Sequence, residues 1–306
     1  MSTAVQQAPT PFAPTASQLE VAYSVCSGIA RGAAKNFYYG FLALPKPKRQ
    51  ALCAVYAFMR RCDDIVDESS LPAIERQQKL DAWLDSVHRA FAGYPTDEPV
   101  LLALADAQRR FNIQVGLLDE LAYGTAMDLE SGTQTSPIAY PTFEALRLYC
   151  YRVASVVGLV CIRIFGYKDP AAEALAEKCG LAFQLTNIIR DVKEDAEMGR
   201  IYVPQEDLAR FELTSADLKN PTDLGRVRPL LEFEAGRARE CYQAGEELIP
   251  LIDEDSQPAL WVLITIYRKL LNKIAARQFD VFQGKIKLTV REKLTVLLKG
   301  FAKRLL

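Results

Sequence analysis

The sequence predicts an all-α protein of one domain, and three observations support that prediction. Half of the 306 residues are apolar, and over most of the chain they recur at helical spacing. Alternating strand patterns are missing except in the short "RIYVP" at 200–204. After residue 18, no Gly/Ser-rich linker and no internal repeat divides the chain. We therefore expect a disordered Pro/Ala/Thr-rich segment at residues 1–18 and one helical domain at 19–306.

The longest predicted helices have clear start or stop signals. The stretch 48–68 contains few helix breakers and is apolar nearly all round, which is typical of a central helix. A second helix begins at Pro141, a favoured first helical residue, and ends at Gly166. A third follows Asp169-Pro170 and runs to about Asp195. Shorter helices are predicted near 19–35, 73–92, 113–129, 229–250, 256–282 and 289–305.

Charge and cysteine content argue against several classes of protein. The 37 basic and 38 acidic residues nearly cancel, whereas nucleic-acid binding favours a strongly basic surface. Seven scattered cysteines without a CxxC pair predict reduced thiols and a cytoplasmic protein. Residues 1–18 do not resemble a signal peptide. The longest apolar run, 153–162, is about half of the roughly 20 residues that span a bilayer.

The predicted helix at 48–68 carries a polar stripe near its C-terminal end. Asp63 and Asp67 are four residues apart and share a face, where like charges repel unless a cation lies between them. Tyr56 and Arg60 continue this stripe toward the N-terminus. Taken alone, such an acidic pair is usually a solvated helix end.

The helix that ends near Asp195 repeats this pattern on a face otherwise flanked by Leu, Ala, Phe, Ile and Val. Its polar residues, at steps of three, four and four, are Gln184, Asn187, Asp191 and Asp195. Arg190 stands beside the first aspartate, as Arg60 stands near that of the other stripe. Buried carboxylates are costly unless they are paired or bind metal. The two stripes therefore predict one site for a polyanion and Mg²⁺, with Mn²⁺ as the alternative ion.

Other catalytic centres do not fit the sequence. A di-iron bundle needs two Glu-x-x-His motifs, and this chain has the single histidine His88. One histidine also leaves no convincing Ser-His-Asp set. Neither a P-loop nor a GxGxxG after a strand is present.

Three motifs carry a resemblance to a known family. "DDIVD" at 63–67 resembles the aspartate-rich motif of class I isoprenoid synthases. "QLTNIIRDVKEDAEMGRIYVP" at 184–204 and "YCYRVASVVG" at 149–158 resemble the squalene/phytoene synthase family of head-to-head prenyl transferases. Terpene cyclases have a different second metal motif, and chain-elongating prenyl transferases lack "RIYVP". The resemblance, over roughly residues 20–290, implies a bundle of the class I isoprenoid synthase type around a central cavity. The two Asp-rich helices would face each other near its mouth.

The resemblance also implies roles for individual residues. The implied metal ligands, which hold Mg²⁺ on a prenyl diphosphate, are Asp63, Asp67, Asn187, Asp191 and Asp195. The implied diphosphate-binding residues are Arg60 and Arg190, followed by Gln184, Tyr267 and Arg200. The implied substrate-pocket residues are Tyr56, Phe37 and Phe41, the last two with core packing as the alternative. Tyr149, or diphosphate itself, would accept the proton released during catalysis.

Two substrates and a non-enzymatic role stay open. The expected reaction joins two farnesyl diphosphates to presqualene diphosphate, and on to squalene if NADPH supplies a hydride; the alternative joins two geranylgeranyl diphosphates to phytoene. Ser155 and Val156 resemble bacterial squalene-branch enzymes more than the "VAGTVG" expected of phytoene synthases. Phe41 would shorten the pocket for the substrate tail. Some relatives are non-catalytic assembly factors, but they lose the motif aspartates, all four of which stand here.

The C-terminal stretch 285–306 has the composition of a basic amphipathic helix. It contains seven basic residues and one acidic residue, with leucines and valines at helical spacing. Such a helix favours peripheral contact of a cytoplasmic protein with an anionic membrane. The alternative is an ordinary last helix packed on the bundle.

Overall fold

The computed structural model describes residues 12–34, 37–130, 138–219, 221 and 223–303. The helices, in chain order, are α1 (Ala16–Ala33), α2 (Phe37–Phe41), α3 (Lys46–Val66), α4 (Ala73–Phe91), α5 (Pro99–Phe111), α6 (Val115–Glu130), α7 (Phe143–Cys150), α8 (Val156–Phe165), α9 (Ala171–Glu197), α10 (Gln205–Arg210), α11 (Ser215–Lys219), α12 (Leu224–Leu248), α13 (Gln257–Ala276) and α14 (Val290–Lys303). A π-helical turn (Tyr151–Ser155) joins α7 to α8, and a 3-10 turn (Ile249–Leu251) follows α12. The strands β1 (Ile138–Ala139) and β2 (Arg200–Ile201) pair in parallel. The all-α prediction is confirmed.

The N-terminal boundary differs from the expected one. Helix α1 begins at Ala16, inside the segment 1–18 that we expected to be disordered. Thr15 explains this start, because its side chain accepts a hydrogen bond from the Gln18 N–H while the Gln18 side chain accepts one from the Thr15 N–H. This reciprocal capping box favours a helix from the next residue onward. The first part of the predicted segment, 1–11, lies outside the described residues.

Two other helix predictions were incomplete. The sequence reasoning missed α5, although Pro99 occupies its first turn and Asn112 ends it in the left-handed conformation at φ 50°. The sequence also predicted that the helix at 229–250 begins at Pro229. In the structure this helix is α12, which begins at Leu224 and is capped by Asp223. Proline can thus lie inside a helix that tertiary packing supports, even though it removes one backbone donor.

Helices α3 and α9 form opposite walls of the bundle interior. Helix α3 packs against α1 and α5, while α9 packs along α12 and against α8 and the π-helical turn. Large side chains such as Phe58 on α3 and Ile189 on α9 are fully buried. Both helices therefore present one face to the core and leave their polar stripes on another.

The π-helical turn brings the α7–α8 helix unusually close to α9. The Val156 N–H bonds the Tyr151 carbonyl, which is the i→i+5 pattern of a π-helix. Ser155 Oγ donates to the Glu177 carbonyl of α9 at 2.8 Å. At the crossing, a Cβ on Gly180 would lie 2.7 Å from the Ala154 carbonyl oxygen, so only glycine fits there.

The continuous helix Phe143–Phe165 is long and apolar enough to cross a membrane, by length and composition alone. This helix is longer than the apolar run at 153–162, because the residues on both sides of that run are also helical. In this fold it packs against α9, α6 and α3. These contacts are those of a core helix of the bundle.

Candidate active site

A cavity of about 260 Å³ lies between α2, α3, α8, α9 and α13. Its walls are mainly aliphatic and aromatic, including Phe37, Phe41 and Phe183. Its polar lining comes from Tyr56 on α3 and from Gln184 and Asn187 on α9. The cavity wall therefore includes the N-terminal members of both stripes. The aspartates follow one to three helical turns further along α3 and α9 and do not belong to the wall.

Two cations hold the first aspartate of the α9 stripe. Two guanidinium nitrogens of Arg190 donate to the Asp191 carboxylate, Nε to Oδ1 at 2.8 Å and Nη2 to Oδ2. Lys285 Nζ lies 2.8 Å from the same oxygen and also pairs with Glu194. Burial raises the pKa of Asp191, but the hydrogen bonds and charges of Arg190 and Lys285 outweigh it and lower the pKa overall. Asp191 is thus a fully charged carboxylate in a partly desolvated site.

The second aspartate of this stripe has the opposite electrostatics. Burial, with the Asp191 charge one turn away, raises the pKa of Asp195 to about 7. The positive charges of Arg200 and Lys285 oppose that rise without cancelling it. A carboxylate in this state is stabilised by an additional cation. Arg200, on strand β2, is thus close enough to Asp195 to act on its charge, and its role in diphosphate binding stays a prediction.

Asn187 has an unsatisfied oxygen in the interior. Its Nδ2 group donates to Gln184 Oε1 at 3.3 Å, but its Oδ1 atom is buried without a hydrogen-bond partner. Buried polar atoms are normally paired, and an unpaired one at a site calls for a ligand. Mg²⁺ prefers oxygen donors of this kind.

Tyr267 of α13 interacts with residues of both stripes. Its ring stacks on Phe183 with centroids 4.3 Å apart and an interplanar angle of 12°. Burial raises the pKa of Tyr267, against the effects of the Arg190 charge and the Asn187 amide. The phenol therefore stays protonated beside the α9 stripe, and Tyr56 of α3 also contributes to its electrostatic environment.

The α3 stripe is more open to solvent than the α9 stripe. Asp67 ends α3, and its N–H bonds the Asp63 carbonyl at 2.8 Å. Arg60 pairs with Asp64 at 2.5 Å. Burial raises the pKa of the Tyr56 phenol, and the nearby Asp63 carboxylate adds to that effect. Arg60 is 42% exposed, which leaves its side chain able to turn toward a polyanion.

The donor set fits a metal ion that substrate oxygens complete. Within the described residues, no three His, Cys, Asp or Glu side chains are grouped closely enough to hold a metal by themselves. Mg²⁺ commonly retains water and takes one or two protein carboxylates together with substrate phosphates. The raised pKa of Asp195 and the unpaired Asn187 oxygen are consistent with such a partial site.

The structure does not bring Tyr149 to the cavity. Tyr149 is buried in a cluster with Tyr140 and Tyr202, and its hydroxyl donates to that of Tyr202 at 3.2 Å. Among the described residues, Tyr149 is not part of the cavity wall. The role of Tyr149 as proton acceptor therefore stays a prediction, and its ring packs against Tyr140 and Tyr202.

Sequence reasoning missed two residues of this site. Lys285 lies far from both motifs in sequence, and the basic C-terminal composition concealed its contact with Asp191. Phe183 precedes Gln184, the first residue of the motif at 184–204. Its sequence context predicts only a core residue, because a single sequence does not reveal that its ring stacks on Tyr267. The helical spacing of Phe183 relative to Asn187 was the one signal that could have identified it.

An all-α bundle with an apolar cavity, and with polar stripes on two helices that begin in its wall and continue into aspartates, is typical of isoprenoid synthases. The match to the squalene/phytoene synthase family model covers residues 30–292. The chain belongs to the squalene/phytoene synthase family. This membership confirms the resemblance seen in the motifs, and the family is one of prenyl transferases that bind prenyl diphosphates.

Individual relatives agree on the family. A phytoene synthase from Arthrospira platensis is 38% identical over 275 residues, which cover 85% of this chain and 86% of that protein. A 15-cis-phytoene synthase from Synechocystis sp. is 36% identical over 303 residues, which cover 94% and 87%. A ligand-bound dehydrosqualene synthase structure aligns with a TM-score of 0.83 at 32% identity over 94% of this chain and 98% of its own. A squalene synthase from Alicyclobacillus acidocaldarius aligns with a TM-score of 0.77 at 29% identity, over 87% and 97%.

Proposed function

We propose that the protein condenses two farnesyl diphosphates head to head into presqualene diphosphate, with Mg²⁺ as its metal. The observation that carries the reaction class is one apolar cavity whose wall includes the N-terminal members of both polar stripes, Tyr56, Gln184 and Asn187. The polar end suits diphosphates, and the apolar interior suits isoprenoid tails. Family membership supports the same reaction class.

The residues of the polar end suit departure of a diphosphate. Arg190 and Lys285 provide positive charge for its oxygens, with Arg60 and Arg200 near the two stripes. Asp63, Asp67, Asn187, Asp191 and Asp195 would hold the metal. When bound, Mg²⁺ supplies Lewis-acid stabilisation of the negative charge that develops on the leaving group. Fixed charges of this kind favour ionisation of the allylic C–O bond because they need no reorganisation.

The cavity suits the step that follows. Its wall carries few polar atoms, so little water is available to capture an allylic cation. The double bond of the second prenyl diphosphate forms a bond to this cation. Loss of one proton then closes the cyclopropane ring. Released diphosphate or the Tyr149 phenol would accept this proton.

Cavity size is the geometric argument for the shorter substrate. The volume of about 260 Å³ is at the small end for a ligand pocket. Phe41 is 4% exposed and lies in the wall, where its ring shortens the space for a tail. Ser155 and Val156, by contrast, lend no support. Ser155 bonds α9 and Val156 is fully buried, and neither belongs to the wall.

Phytoene synthesis from two geranylgeranyl diphosphates is the second candidate. It is favoured by the names of relatives that are 36–38% identical over most of the chain. The two candidates share the first half-reaction. They differ in the tail length and in the end of the second half, where squalene formation needs a hydride from NADPH and phytoene formation needs loss of a proton.

A product assay tests both candidates. Purified protein receives each prenyl diphosphate with Mg²⁺, with and without NADPH, and lipid extracts are examined by mass spectrometry after phosphatase treatment. Presqualene alcohol or squalene from the shorter substrate would support the first candidate. Phytoene from the longer substrate alone would replace it with the second.

A non-enzymatic binding role requires a separate test. Asp63→Ala and Asp191→Ala are compared with the wild type for Mg²⁺-dependent binding of a non-hydrolysable farnesyl diphosphate analogue and for turnover. An enzyme of the proposed kind loses both in each variant. Wild-type protein that binds the analogue but turns over neither substrate would favour an assembly role. The exposed Asp85→Ala on α4 is the control.

A further inference from the structure

Helix α14 keeps an apolar stripe in solvent. Its members, at steps of four, four and three along one face, are 37–68% exposed and are Val290, Leu294, Leu298 and Phe301. Single apolar residues are common on protein surfaces, but a contiguous stripe indicates an interaction site. We refer to these four residues as the α14 stripe.

The other face of α14 fixes the helix on the bundle. Val296 is 1% exposed, and a Cβ on Gly300 would lie 2.5 Å from a Val262 methyl carbon of α13. At the beginning of the helix, Glu292 accepts from the Thr289 N–H and pairs with Lys273 at 3.0 Å. The helix is therefore held with its stripe outward, and the stripe is not a consequence of loose packing.

Basic side chains flank the α14 stripe. Arg291 and Lys299 are exposed on one side of it, and Lys287 is exposed just before the helix. The single acidic residue of this segment, Glu292, is already paired with Lys273. Exposed leucines bordered by unopposed basic groups are the arrangement of a helix that lies in a lipid headgroup region. There, long basic side chains reach phosphates while apolar ones enter the acyl boundary.

We propose that the α14 stripe and its basic flank dock the protein on an anionic lipid surface. Charge decides between this occupant and a second copy of the chain. A symmetric pair of α14 helices would place Arg291 and Lys299 near their own copies, and like charges repel. Anionic headgroups neutralise the same residues, and the attraction amounts to about fivefold in affinity for each basic residue near the surface.

The proposed surface lies close to the cavity. Lys293 of α14 is positioned over the Tyr39 ring, 5.4 Å from its centroid. Tyr39 belongs to α2, whose Phe37 and Phe41 form part of the cavity wall. Under the proposed function, a water-insoluble product would leave next to lipid. That consequence rests on the proposed function, whereas lipid binding itself does not.

Vesicle sedimentation of the full-length protein tests the proposal. Vesicles contain phosphatidylcholine alone or equal parts of phosphatidylcholine and phosphatidylglycerol. Wild-type protein should partition at least tenfold more onto the anionic vesicles. Leu294→Glu/Leu298→Glu should abolish that difference, and Arg291→Gln/Lys299→Gln should reduce the partition coefficient about twenty-five-fold.

The control is Val21→Glu/Val25→Glu, which changes two exposed apolar residues of α1. It should bind vesicles like the wild type. Circular dichroism checks that every variant is folded, and turnover in detergent without vesicles should be the same in all of them, whichever substrate is used. Equal sedimentation of the wild type and Leu294→Glu/Leu298→Glu would overturn the proposal. So would a lipid-independent dimer in analytical ultracentrifugation that only the α14 substitutions dissociate.

Discussion

Lys285 Nζ lies 2.8 Å from the Oδ1 atom of Asp191, so the segment between α13 and α14 closes on the acidic stripe of α9. Arg190 occupies the other side of the same carboxylate. Lys285 also pairs with Glu194, so two cations and two carboxylates form one network here. A bound polyanion would compete with these carboxylates for the two cations. Lys285 is the more exposed of the two, with 29% of its side chain in solvent against 16% for Arg190.

Replacing Lys285 by Gln should weaken substrate binding more than it weakens the fold. A charge-assisted hydrogen bond contributes about 1.5–3 kcal/mol, so KM for the prenyl diphosphate should rise by about tenfold to a hundredfold. Steady-state kinetics with the substrate identified by the product assay measures this. Lys269→Gln, at an exposed position of α13, should leave KM unchanged. An unchanged KM for Lys285→Gln would restrict Lys285 to pairing with Asp191.

Asn187 and its neighbour Thr186 should separate function from stability. Asn187 has a buried, unpaired oxygen, so Asn187→Leu should leave the melting temperature unchanged or higher while Mg²⁺-dependent turnover falls by at least a hundredfold. Relieving such an oxygen is favourable by about 1–3 kcal/mol. Thr186 Oγ1 bonds Ala182 and Tyr242. Thr186→Val should lower the melting temperature and keep most of the activity. Calorimetry and turnover on both variants would reveal the reverse pattern if this assignment is wrong.

Gly180 should be irreplaceable for a steric reason. A Cβ there would lie 2.7 Å from both the Ala154 oxygen and the Ser155 Cα atom, which are backbone atoms of the π-helical turn. Gly180→Ala should cost about 1–3 kcal/mol of unfolding free energy, measured by urea denaturation. Gly236→Ala on α12 has no atom within 4 Å of its Cβ and should instead stabilise by about 0.5–1 kcal/mol. Equal effects of the two changes would mean that α9 and the π-helical turn can move apart freely.

Glu234 lies in a buried cluster away from the cavity. Arg237 bonds both Glu234 and Asp207, and those carboxyl groups are 2–3% exposed. Burial raises the pKa of Glu234 to about 7 from an ordinary 4.5, with the Asp207 charge adding to the rise and Arg237 opposing it. Arg237 thus forms ion pairs with two buried carboxyl groups. Because Asp207 belongs to α10 and Glu234 to α12, these pairs hold the two helices together.

The cluster predicts how stability depends on pH. The folded protein keeps a proton on Glu234 that the unfolded chain releases above its ordinary pKa. The free energy of unfolding should therefore fall as pH rises from about 4.5 to about 7, on the order of 1–3 kcal/mol, and then level off. Glu234→Gln should remove this part of the slope, as urea titrations at several pH values would measure. Glu232→Gln, exposed on the same helix, should retain it; equal slopes for the two variants would place the titration elsewhere.

The long helices were predictable because their apolar periodicity and end signals are local. The stretches containing Asp63 and Asp191 could be identified because helical spacing alone puts carboxylates four residues apart on one face. The strand β2 at 200–201 was also visible, within the stretch 200–204, although its partner β1 was not, because a two-residue strand has no periodicity to detect.

Contacts between segments that are distant in the chain could not be predicted from the sequence. The π-helical turn depends on the fit of Gly180 against Ala154, which no local pattern encodes. Lys285 reaches Asp191 only through the path of the chain after α13. Tyr149 lies in a motif, but a motif gives no direction for a side chain, and its ring turned out to stack on Tyr202.

Phe41 should set the length of tail that the cavity accepts. Its ring lies in the wall while the residue is 4% exposed, so truncation enlarges the cavity rather than a surface groove. Phe41→Ala should raise kcat/KM for geranylgeranyl diphosphate relative to farnesyl diphosphate by at least tenfold. Because truncating a buried Phe costs about 3–5 kcal/mol, the milder Phe41→Leu is measured beside it and should change the ratio in the same direction.

Phe279→Ala separates tail length from instability. Phe279 is 5% exposed but is not part of the cavity wall, so its truncation removes the same atoms from the core without lengthening the cavity. It should lower the melting temperature and leave the substrate ratio as it is in the wild type. If the ratio shifts equally in Phe41→Ala and Phe279→Ala, selectivity follows the looseness of the bundle. If it shifts only in the Phe41 variants, the ring at this position limits the tail, as the small cavity implies.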